Sequence, residues 1–198
     1  MRDAFRQRKG AVPWTELEGG LRLSGVSDQL GVAGEYRLTA AADGRFRTEI
    51  RSTVGNATAY DGTTTWHVDW TGIAGAVVLH DAFVPALVTD VHLGRWAEPN
   101  APYDVSVPPA GGDPNGEEDL PPGWSRLRLQ RRGSPLRADL MLDADLCARQ
   151  LRLDGLEGTL THEFDDYRES NGMVLAHEVR ETALGQVVQR VRIHSIEA

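Results

Sequence analysis

The side chains of this 198-residue chain that could do chemistry are six histidines, one cysteine and a few adjacent carboxylates. A metal centre needs its ligands repeated on one face of an element. His67, His80, His92, His162, His177 and His194 are scattered, with no HxxxH or HExxH spacing among them. His162-Glu163 and His177-Glu178 are adjacent pairs, and in a strand adjacent side chains leave on opposite faces. Neither pair can chelate one ion, so these histidines read as structural or solvated. Asp165-Asp166 ahead of Tyr167 is split by the same alternation and reads as solvated acids at a strand end. Cys147 has no partner for an internal disulfide and no CxxC spacing, which makes it a buried, inert thiol. GxSxG, P-loop and GxGxxG motifs are absent. A Ser/His/Asp site assembled from distant strands stays open, with no residue pointing to it. The expectation is a chain that is not an enzyme and uses no metal and no cofactor.

Bulk charge narrows the partners. The net charge is −8 and the pI about 5.2, whereas nucleic acid and anionic membrane surfaces require basic patches. Arg131-Arg132 is the one cation pair at a turn, and it reads as a solvated hairpin end. The opening MRDAFRQRKG has no apolar core, so no signal peptide is expected in this chain. No 18-residue apolar run provides a membrane span. Neither point fixes the compartment.

The elements that position these residues are mostly strands. Asp43-Gly44, Asp61-Gly62, Asp154-Gly155 and Asn171-Gly172 supply the positive φ angles of tight hairpins. Apolar residues alternate with polar ones around them: Leu21 and Leu23, Tyr36 and Leu38, then Phe46, Thr48 and Ile50 against Arg45, Arg47, Glu49 and Arg51. That is the mark of sheets with one buried and one solvated face. Thr63–Asp69 forms the second arm of a hairpin. The second half repeats strands about every 10 residues, including Trp124–Gln130, Leu136–Leu142, Ala148–Leu153, Thr159–Asp165, Val174–Thr182 and Val187–Ile196, as in a β-meander.

Two segments break the pattern. Over Val77–Trp96, apolar residues fall at Val78, Phe83, Leu87, Val91 and Trp96, which predicts one or two helices with Pro85 in an early turn. The stretch 99–123 holds seven of the ten prolines together with Asp113, Glu117, Glu118 and Asp119, and reads as a surface loop rather than a packed element. The chain is thus expected to form one domain over 1–198, mainly β, with a helical insertion at about 77–96 and the Pro/Gly/acidic loop at about 99–123. The helix can close the apolar face of a curved sheet. Trp66, Phe83, Leu87 and Val91 are the candidate lining of any cavity left beneath it. The plainer reading of the same four side chains is an ordinary core.

The runs Leu21-Arg22-Leu23-Ser24-Gly25, Gly34-Glu35-Tyr36-Arg37-Leu38, Asp43-Gly44-Arg45-Phe46-Arg47 and Tyr60-Asp61-Gly62-Thr63-Thr64-Thr65-Trp66 resemble bacterial outer-membrane lipoprotein carrier-like domains, the LolA/LolB-like superfamily. They are similar in particular to versions at the N-terminus of some retropepsin-like aspartic proteases. Phe164-Asp165-Asp166-Tyr167-Arg168-Glu169 and Asn171-Gly172 through His177 resemble the family's C-terminal signature, with Ala176 where a proline is usual. The resemblance covers most of residues 15–196. It implies an unclosed half-barrel of about ten or eleven antiparallel strands with helices on the concave side, an apolar cavity that holds acyl chains, and a periplasmic or extracytoplasmic setting. Without a signal peptide in the chain, a cytoplasmic location stays open. The function expected is a non-catalytic binding module for a lipid or an acylated protein. The alternative is an interaction or sensory domain of an exported protein, with a filled core and no small ligand.

Overall fold

The computed structural model describes residues 1–77, 83–108, 120–155 and 158–198. A short helix α1 (Arg2–Gln7) and a 3-10 turn (Trp14–Glu16) precede β1 (Leu21–Gln29), β2 (Val32–Ala40), β3 (Phe46–Arg51), β4 (Asn56–Tyr60), β5 (Thr65–Val68) and β6 (Ala74–Ala76). Helix α2 (Val84–His92) and a second 3-10 turn (Arg95–Ala97) follow. The remaining strands are β7 (Tyr103–Ser106), β8 (Ser125–Arg131), β9 (Arg137–Leu142), β10 (Ala148–Gly155), β11 (Gly158–Ser170), β12 (Met173–Ala183) and β13 (Gln186–Glu197).

All thirteen strands form one antiparallel sheet in the order β6-β5-β4-β3-β2-β1-β13-β12-β11-β10-β9-β8-β7. Two meanders therefore meet where the first strand pairs with the last, as in Leu23 opposite Ile196. The count is thirteen rather than ten or eleven, because β6 and β7 are strands of three and four residues that alternation cannot signal. β7 lies inside the stretch expected to be loop. It forms there because Tyr103 is fully buried, and Tyr103 to Ser106 pair with Arg131 to Arg128. The rest of the expected loop, 109–119, lies outside the described residues, as does part of the expected helical segment, 78–82.

The sheet is open at the backbone, yet its ends meet. β4 and β8 have eight strands between them, which in a flat sheet would separate them by roughly 40 Å. Arg131 Nη2 on β8 nevertheless donates to Tyr60 Oη on β4 at 2.7 Å. The sheet must curl almost fully round, and that seam is closed by side chains.

Helix α2 fills the interior. Its apolar residues serve two clusters. Leu87 and Val91, one turn apart, pack with Leu127, Leu140, Leu151 and Phe164 of the β7–β12 side. Ala86, with Leu93 just past the helix, joins Leu21, Leu38, Phe46 and Ile193 of the other side. Pro85 sits in the first turn, where its missing N–H costs nothing. The helix proper is shorter than 77–96, and Gly94 ends it with a φ of 74°.

Turn chemistry is only partly as expected. Asn171-Gly172 has φ values of 53° and 76°, the positive pair a tight hairpin needs. Asp154-Gly155 is not a turn: Asp154 pairs with Thr159 and Gly155 with Gly158, so both belong to strands.

Candidate functional site

The four residues expected to line a cavity are not brought together. Thr65 is fully buried, and alternation along β5 turns its neighbour Trp66 to the outer face, where it is 45% exposed beside Ala59 and Ala76. Leu87 and Val91 are 1% and 2% exposed within the packed core. Phe83 is half-buried at the start of α2, with the Arg131 guanidinium 4.0 Å from its ring centroid. Phe83, Leu87 and Val91 thus share the helix, while Trp66 lies on the other side of the sheet.

The interior around α2 holds a polar network that the sequence reading did not anticipate. Arg95, just beyond the helix, is 4% exposed. Its Nη2 lies 2.7 Å from Asp90 Oδ1, and its Nη1 donates to the Ala41 carbonyl at 2.7 Å, tying the helix to the β2–β3 turn. The guanidinium also rests against the Trp14 ring, whose Nε1 donates to the Leu93 carbonyl. Tyr103 Oη donates to Asp90 Oδ2 at 2.7 Å, tying the helix to β7. Burial pushes the Asp90 carboxyl above the usual carboxylate range, with Arg95 and the Tyr103 hydroxyl pulling it back. The Tyr103 hydroxyl is pushed well up by burial and by the Asp90 charge.

Arg131 is the member that most departs from expectation. It is not a solvated hairpin end: the residue is 8% exposed, under Phe83 and between the rings of Tyr60 and Tyr103. Its phase gives the reason. Along β8, Leu127, Leu129 and Arg131 occupy the same face, so the side chain is carried inward with the leucines. That phase is legible in the sequence, whereas the tyrosines that receive it come from strands far away in the chain.

His92, His162 and His177 are buried, and His194 is exposed. His92 hydrogen-bonds the Ala176 carbonyl and stacks on Phe164, and burial lowers its pKa. His177 Nδ1 lies 3.0 Å from the Ile193 carbonyl. His162 is 5% exposed, and burial lowers its pKa to about 4. His80 lies outside the described residues. Among the described residues no three of His, Cys, Asp and Glu form a metal-binding group. Cys147 is buried, and burial pushes its thiol up. Asp165 and Asp166 are solvated, paired with Arg149 and Arg168 respectively. No described helix is long and apolar enough to cross a membrane.

Two open depressions mark the surface. One of about 600 Å3 is lined by Ile50, Ala57, Val68 and Trp70 among others. Another of about 350 Å3 is lined by Leu120, Trp124, Met141, Arg149 and Glu163. Phe83, Leu87 and Val91 contribute to neither.

No protein-family model matches the sequence, and no curated protein matches it. Solved structures do match in three dimensions. A LolA superfamily protein from Nitrosomonas europaea superposes with a TM-score of 0.58 at 10% identity, over 98% of this chain and 89% of that one. A DUF1329 family protein from Desulfovibrio piger gives 0.59 at 9% identity, over 99% and 88%. A proposed outer membrane lipoprotein-sorting protein domain from Vibrio parahaemolyticus gives 0.56 at 9%, with the same coverage. What is shared at such identity is architecture, and this chain has the fold of these three structures.

Proposed function

We propose that the chain is a non-catalytic binding module that holds a lipid or acyl chain beneath helix α2, working outside the cytoplasm as a carrier. The observation that carries this reading is the way α2 is held. It lies inside a curled sheet whose ends never join by backbone, so the interior can open by rearranging side chains without breaking a ladder. Phe83, Leu87 and Val91 are the apolar residues the helix would lift from the sheet. Its named neighbours in fold include a proposed lipoprotein-sorting domain. The buried Asp90–Arg95 pair serves an internal contact.

Native mass spectrometry of gently purified protein tests this directly, with co-purifying fatty acid or phospholipid as the expected result. Binding of a neutral hydrophobic dye, with and without Phe83→Asp, asks whether the helix covers the site. No bound lipid and dye binding indifferent to Phe83 would remove the carrier reading.

A second reading has an observation of its own. Trp66, Trp70 and Ile73 are 45%, 69% and 70% exposed beside the edge strand β6. An apolar sheet edge of that kind suits a protein partner, as an interaction or sensory domain with a filled core requires.

A further inference from the structure

Arg131 is poorly served by its surroundings. It is more than nine-tenths buried, yet its polar partners are the hydroxyls of Tyr60 and Tyr103, and Nη1 is buried with no hydrogen-bond partner. Three aromatic rings, Phe83, Tyr60 and Tyr103, surround the guanidinium. Rings attract a cation but cannot accept its N–H bonds in the way a carboxylate does. The charge is also unbalanced. Among the described residues, Arg95 and Arg131 face one carboxylate in this network, Asp90, and Arg95 holds that carboxylate directly at 2.7 Å. A buried guanidinium with an idle donor and only a shared carboxylate, at a distance, for counter-ion is costly unless an anion arrives to use it.

Its position says where that anion would come from. Arg131 lies on the side-chain seam between β4 and β8, under Phe83 at the start of the helix. Phe83 is half-buried and can turn aside more easily than Leu87 or Val91. We propose that Arg131 is an anion-binding site for the headgroup of a single-chain amphiphile, a carboxylate or a phosphate, whose acyl chain takes the place of the α2 side chains against the sheet. The idle Nη1 and the Tyr60-bound Nη2 form a fork that matches two oxygens of one anionic group. The inference rests on the acyl-chain reading above and specifies which amphiphiles the interior prefers.

The test is displacement of Nile red, a neutral dye, by oleate, oleyl alcohol and oleoyl lysophosphatidate. Oleate or lysophosphatidate should displace the dye at concentrations about tenfold or more below the alcohol, in proportion to one charge-assisted bidentate contact. The better of the two anions identifies the headgroup as carboxylate or phosphate. Arg131→Met should bring the ratio of anion to alcohol towards one. Tyr60→Phe keeps the guanidinium and frees Nη2, so it should preserve or widen the ratio. The wild-type comparison needs no variant and stands even if Arg131→Met fails to fold. Equal displacement by all three ligands, or loss of the preference in Tyr60→Phe, overturns the anion site alone. Failure of every ligand and of the dye to bind overturns the carrier reading, and this inference with it.

Discussion

Arg131 Nη2 and Tyr60 Oη lie 2.7 Å apart, although their strands are near opposite ends of the sheet. This contact holds the curl closed where no backbone ladder does. Tyr60→Phe removes it and leaves the ring in the core. The hydrogen bond has a charged donor, so the variant should lose about 2 kcal/mol of stability. Urea denaturation would show the midpoint falling with the m-value unchanged.

His162 gives the fold a pH dependence. Burial lowers its pKa from the ordinary 6.5 to about 4. Between those values the unfolded chain binds a proton that the folded chain does not. The stability associated with neutral His162 is therefore complete above about pH 6.5 and is lost as the pH falls towards 4, by about 3 kcal/mol at most. Glu181, opposite His162 on β12, is raised by burial and works in the other direction. Comparing His162→Gln with the wild type isolates the histidine: the variant should show a flatter decline in urea midpoint between pH 6.5 and 4. Parallel curves would refute the assignment.

Gly25 marks the irregularity in the β1–β13 pairing, and a Cβ there would come within 1.9 Å of the Arg192 carbonyl oxygen. Both sides of that clash are backbone, so it cannot be relieved by a rotamer change. Gly25→Ala should cost at least about 2 kcal/mol, seen as a fall in Tm of roughly 4–8 °C by circular dichroism.

Leu184 has a φ of 50° in the β12–β13 hairpin and is 78% exposed. Leucine is strained in that region, where asparagine is tolerated, and the exposed side chain has little packing to lose. Leu184→Asn should raise stability by about 1 kcal/mol. A lower Tm for this variant would mean that the turn draws support from elsewhere.

Alternation made the β-rich architecture, the inward leucines of β8 and β9 and the helical break near Leu87 legible in the sequence. It failed where local chemistry and fold disagree. Leu30-Gly31 and Leu184-Gly185 are hairpin turns with a leucine at positive φ, which turn statistics discourage. β6 and β7 are too short to show a period. The polar network was hidden for a different reason. Arg95, Asp90, Tyr103, Tyr60 and Arg131 come from five separate elements, and the curl of the sheet is what brings Tyr60 to Arg131. Trp66 shows the converse: the phase set by buried Thr65 sends an aromatic strand residue to the outer face.

The pairing of β1 with β13 has a consequence for biogenesis. The midline of the sheet joins β1 to β13, so one of β1's two partner strands becomes available only after the other strands of the sheet. Before β13 is in place, β1 to β6 can zip as a meander while one long edge, carrying Val26 and Ser27, stays unpaired. Such an edge invites wrong partners for as long as it is exposed. Maturation of the sheet is therefore timed by the arrival of β13, and until then this edge is open to wrong partners.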